Sequence, residues 1–156
     1  MGKTTFSGPV VSQQGFQASP VELSDADATI TVESHNGKVI GVPAIGSNRT
    51  FTLTTPTGAG IAYKFICSGA ATEAQNVILR TETTDNSVFF TGGVSFLDSD
   101  ATGAATVSSV FANGSSNEQL TLVTPGVFEI NFVSTSATEW FVWGSVVSVT
   151  TPAFAD

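Results

Sequence analysis

The side chains that could do chemistry in this chain are few and scattered. His35 is the only histidine and Cys67 the only cysteine. Histidine-based metal clusters are therefore excluded, as are thiolate cages and intrachain disulfides. A Ser–His–Asp or Cys–His site would have to use His35, which sits beside Asn36-Gly37. Asn-Gly is a strong hairpin signal, so His35 is expected at a solvated turn, where nothing would orient it as a base. Cys67 is expected to point inward from a strand beside Phe65 and to act as a small hydrophobe.

The carboxylates fare no better. A glycosidase needs two facing carboxyl groups, one of them buried and perturbed. Glu33, Glu82, Glu118, Glu129 and Glu139 fall on strands or strand ends, and Glu33 and Glu129 take the outward phase; solvated charges are the expectation. Asp98, Asp100 and Thr102, followed by Gly103, match the first half of a calcium loop, with oxygen ligands at alternate positions. The closing glutamate is missing, because Ser109 stands there, so a polar loop is expected in place of a calcium site. Gly58-Ala59-Gly60 lacks the third glycine and the helix of a dinucleotide motif. No enzyme, cofactor or metal centre is expected.

The elements that would carry any site are strands. Short runs alternate apolar and polar residues between Gly, Pro and Asn turns. Ile30 and Val32 share one face of residues 28–33, and Phe51 and Leu53 one face of 49–54. Tyr63, Phe65 and Cys67 align in 61–67, and Phe128, Ile130 and Phe132 in 127–133. Gly92-Gly93 is expected to break a strand, Pro125-Gly126 to make a turn. Residues 139–149 (EWFVWGSVVSV) are apolar on both faces, as in a strand central to a sandwich or pressed on another subunit. No segment shows a sustained helical period. The expected fold is all-β, a single β-sandwich over residues 25–149, with an extended arm at 1–24 and a short tail at 150–156.

Composition says what such a domain meets. Charged residues are 12% of the 156, against about 25% on average. Thr, Ser, Ala and Gly have taken their place. A surface so poor in charge is sticky for a lone monomer and suits one that packs on protein. The net charge of −8 and five scattered cations exclude a phosphate-binding face and argue against anionic membranes. Met1–Phe6 has no apolar signal core, so synthesis in a cytoplasm is expected. Phe6, Val10, Val11 and Phe16 give the arm apolar anchors that an unattached tail lacks.

Three stretches occur in order: Gly60-Ile61-Ala62-Tyr63-Lys64-Phe65-Ile66, then Phe89-Phe90-Thr91-Gly92-Gly93-Val94, then 129–144 ending in Trp140-Phe141-Val142-Trp143-Gly144. With the opening Thr5-Phe6-Ser7-Gly8-Pro9-Val10 and Gly15-Phe16, this order resembles small capsid decoration (cement) proteins of marine and cyanobacterial bacteriophages. The resemblance implies a jelly-roll-like sandwich, usually trimeric, on the outer surface of the virion where major capsid protein subunits meet. The expected interface is then Phe6, Val10, Val11 and Phe16 from the arm, with Trp140, Phe141, Val142 and Trp143 from the last long strand, which divide between core and subunit interface. The alternative is a phage fibre, spike or host-attachment module that binds glycan through exposed aromatics. Neither reading involves nucleic acid or a membrane.

Overall fold

The computed structural model describes residues 20–68, 74–103 and 106–156. Two sheets face each other. The larger has the order β1-β3-β5-β10-β11-β7-β8 and the smaller β12-β9-β6-β4-β2. In chain order the strands are β1 (Val21–Glu22), β2 (Ala28–Ile30), β3 (Val39–Val42), β4 (Arg49–Leu53), β5 (Ala62–Cys67) and β6 (Val77–Thr81), followed by β7 (Phe89–Asp98), β8 (Val107–Phe111), β9 (Gln119–Leu122), β10 (Pro125–Ser134), β11 (Glu139–Ser148) and β12 (Ala153–Ala155). A one-turn helix, α1 (Val32–His35), joins β2 to β3.

The expected all-β sandwich is what forms. From β2 to β7 the chain changes sheet at every connection. Each sheet therefore grows by parallel neighbours, β2/β4/β6 in one and β1/β3/β5 in the other, and β7 lies parallel to β11. The remaining pairs are antiparallel. This mixture differs from a jelly roll, which is antiparallel.

Period-two patterning puts one residue in two inside. Ile40, Tyr63, Phe65, Ile130, Phe132, Trp140, Val142 and Phe90 of the larger sheet meet Ile30, Phe51, Leu53, Leu79, Leu120 and Leu122 of the smaller, all essentially without solvent contact. Aromatic rings tie the layer together: Phe65 packs edge-on to Phe132 at 5.9 Å and Tyr63 lies 5.2 Å from Trp140. Such pairs add to the area they bury.

Several local expectations give way. Asn36-Gly37 does not close a hairpin. Thr31 caps a helical turn, its hydroxyl accepting from Ser34 N at 3.4 Å, and that turn carries the chain from one sheet to the other. The strand before it therefore stops at Ile30 instead of running on to residue 33. Gly92-Gly93 lies within β7, which runs unbroken for ten residues beside β11. Pro125-Gly126 begins β10, with a register shift between Pro125 and Val127, and the turn falls on Thr124 at φ +42°. Residues 150–156 are more than a tail, since Ala153–Ala155 pairs with β9. Val21–Glu22, within the expected arm, pairs with β3.

Candidate docking face

Strand register fixes which side chains share the outer face of the larger sheet. One row reads Val39, Lys64, Asn131, Trp143, Gly93 and Phe111 across six strands. The next contains Ile66, Glu129, Ser145, Ser95 and Ser109, and a third Val127, Val147, Leu97 and Val107. On the other side of the first row lie Ala62, Val133, Phe141 and Thr91.

The exposed large hydrophobics gather here. Phe111 is 72% exposed, Val127 60%, Trp143 44% and Phe141 40%; Val107 joins them on this face, and Val149 follows the end of β11. Phe141 and Trp143 lie side by side, ring centroids 5.7 Å apart. Glycines seat these rings: a Cβ on Gly93 would stand 2.6 Å from the Phe111 ring, and one on Gly92 would stand 3.0 Å from that of Phe141. The outer face of the smaller sheet is different. Its rows read Thr29, Thr52, Arg80, Gln119 and Thr50, Ile78, Thr121. One side of the sandwich is threonine-rich and polar, the other apolar and aromatic.

Charge on the aromatic side is sparse. Lys64 Nζ lies 2.9 Å from Glu129 Oε1, and Asn131 donates to the same oxygen at 3.3 Å. The Lys64 hydrogen bond, then that of Asn131, holds the Glu129 carboxyl below its ordinary pKa. Lys64, Asn131 and Trp143, with Gly37, Lys38 and Val39, border a shallow groove of about 240 Å³.

The expected interface residues divide. Trp140 and Val142 are wholly buried in the core, so the reading that placed them at a partner is corrected. Their neighbours Phe141 and Trp143 are the ones that reach solvent. Phe6, Val10, Val11 and Phe16 lie outside the described residues. Phe111, Val107 and Val127 were missed; alternation within β8 and β10 marks them as one phase of a strand, but only the fold shows that this phase faces outward.

The residues weighed for chemistry are held in structural roles. His35 is buried, not at a solvated turn: its Nδ1 lies 3.1 Å from Thr31 N and its own amide donates to Thr31 O. Cys67 is half-buried at the end of β5, its Sγ 3.9 Å from Gly126 O. Glu118, expected in solvent, is buried, and Oε1 accepts the amide of Asn86 at 2.5 Å, supporting that residue at φ +62°. Asp98 accepts the amide of Asp100 at 2.9 Å, an ordinary Asx turn. No three His, Cys, Asp or Glu side chains come together as a metal-holding group among the described residues. No protein-family model matches the chain, nor does any curated protein or solved structure.

Proposed function

We propose that this protein is a structural subunit that docks on other protein through the outer face of its seven-stranded sheet, and that it decorates the outer surface of a bacteriophage capsid. The observation that carries the docking half is the asymmetry of the sandwich. Exposed patches of this kind mark interaction surfaces, and aromatic anchors dominate binding energy at such sites. The capsid half rests on the resemblance of the three ordered stretches and the arm. In this reading the major capsid protein is the partner, three copies associate, and the functional side chains are Phe141 and Trp143, aided by Phe111, Val107 and Val127.

The arm belongs to the same reading. Val21 pairs with Ile40 in parallel, so the chain enters β1 level with Val39, which borders the groove. Phe6, Val10, Val11 and Phe16 would extend the docking surface from that point. Many symmetric copies then make modest contacts sufficient.

The test is loading of purified protein onto shells of its parent phage. The double variant Phe141→Ser, Trp143→Ser should keep the wild-type circular dichroism and lose affinity by about 30-fold or more, the effect of one hot-spot side chain. Removal of residues 1–19, stopping short of β1, should also weaken loading. Wild-type loading by the double variant would refute the assignment. A second reading, attachment to glycan, is favoured by the exposed Trp143 indole beside Lys64 and Asn131 in the groove. Glycan-array binding that is lost in Trp143→Ala, with capsid loading intact, would move the assignment there.

A further inference from the structure

Strand β8 is the outermost strand of the seven-stranded sheet. The other sheet edges are short, two residues in β1 and three each in β2 and β12, whereas β8 has five. Natural edges are blunted by shortness, charge, proline or a bulge, to prevent pairing with another chain. Val107-Ser108-Ser109-Val110-Phe111 has none of these devices. Val107 and Phe111 are also the most exposed large hydrophobics among the described residues.

The hydrogen-bond phase of β8 identifies what the open side offers. Ala112 N donates to Gly92 O at 3.0 Å, immediately after the pair Gly93↔Phe111. In an antiparallel ladder bonded and non-bonded pairs alternate, so Ala112, Val110 and Ser108 bond β7. Phe111, Ser109 and Val107 therefore direct their N–H and C=O groups to the unpaired side. Those three positions are spaced evenly about Ser109.

We propose that β8 pairs with β8 of a second copy, antiparallel and about a two-fold axis through Ser109. Ser109 then faces Ser109 of the second copy, and Val107 of each copy faces Phe111 of the other. Only this register uses every outward-facing group of the strand. Three bonded pairs give about six main-chain hydrogen bonds. The side chains of these positions all lie on the outer face, so the pairing also covers the two most exposed apolar residues with one another. No charge is desolvated. An isologous contact of this kind closes on itself and leaves no edge for further growth.

This pairing goes beyond the docking reading and does not depend on it. It also differs from a three-fold contact, and the two combine only in assemblies with an even number of chains. In solution the wild-type mass should be an even multiple of 16.0 kDa, six chains where the three-fold contact also forms and two where it does not. Ser109→Lys and Ser109→Glu each place like charges across the axis. Each alone should halve that mass and weaken association by at least about tenfold. An equimolar mixture of the two should restore it. In the wild type the amides of Ser109 and Phe111 should exchange slowly in the associated state. A wild-type mass of one or three chains would overturn the pairing while leaving the docking face standing. An unchanged mass for Ser109→Lys, a mixture that fails to re-associate, or fast exchange at Ser109 would each overturn it as well.

Discussion

Gly144 is where the sheet that carries the docking face is least able to accept a side chain. It sits in β11 between β10 and β7, paired with Ile130 on one side and Val94 on the other. Its φ is +153°, and an added Cβ would fall on the carbonyl oxygen of Glu129 and stand 2.9 Å from Ile130 Cα. Both are backbone atoms of a strand held on its far side by β5, so neither can step aside cheaply. Gly144→Ala therefore combines a backbone term of about 1–3 kcal/mol with an overpacking term of about 1–3 kcal/mol. The sum, about 2–6 kcal/mol, is a large part of the 5–15 kcal/mol that holds a typical domain together. Gly114 isolates the first term, because its φ is +77° and nothing lies within 4 Å of the added Cβ. Urea denaturation should show Gly114→Ala losing about 1–3 kcal/mol and Gly144→Ala clearly more, with m unchanged in both. Equal losses in the two variants would refute the steric argument.

Other consequences follow from the same structure. Trp140→Ala should cost about 3–5 kcal/mol by thermal or chemical denaturation, since the indole is fully buried against Tyr63 and Phe132; Phe141→Ser, one residue later on the exposed phase, should cost a small fraction of that. Acid should destabilise the fold through two exposed carboxylates. The Arg49 hydrogen bond, then the amide of Gly46, lowers the Asp25 pKa from 3.8, and Lys64, then Asn131, lowers that of Glu129 from 4.5. A lowered folded-state pKa means that the unfolded chain takes up the proton first. The contribution is thus complete above the ordinary values and fades as pH falls through the folded ones. The denaturation midpoint should decline below those values, and Asp25→Asn with Glu129→Gln should flatten the decline; an unaltered acid limb would contradict these pairings.

How legible this was in the sequence depended on the range of the forces involved. Alternation such as Phe128, Ile130, Phe132 identified core-facing residues because burial of one sheet face acts through side chains two apart. The same alternation separated Phe141 and Trp143 from Trp140 and Val142. It could not say which phase faced the opposing sheet, because both are apolar. Asn36-Gly37 misled because a local hairpin preference was overridden by a cap at Thr31 and by the change of sheet that follows. Gly92-Gly93 looked like a break, yet the glycines serve the strand by admitting the Phe141 and Phe111 rings beside it. The open edge at β8 depends on strand order, which is set by contacts distant in sequence. Ala153–Ala155 became a strand for the same reason, since its partner β9 lies some thirty residues earlier.

The central claim is that the aromatic outer face meets protein while the threonine-rich one does not. Hydroxyl-radical footprinting of the isolated protein and of assembled virions tests it most directly, because Trp143 and Phe141 report on one face and Ile78 and Arg80 on the other. On assembly, oxidation of the two aromatics should fall severalfold while that of Ile78 and Arg80 stays as it was. Aromatics that remain as reactive in the particle as in solution would contradict the account.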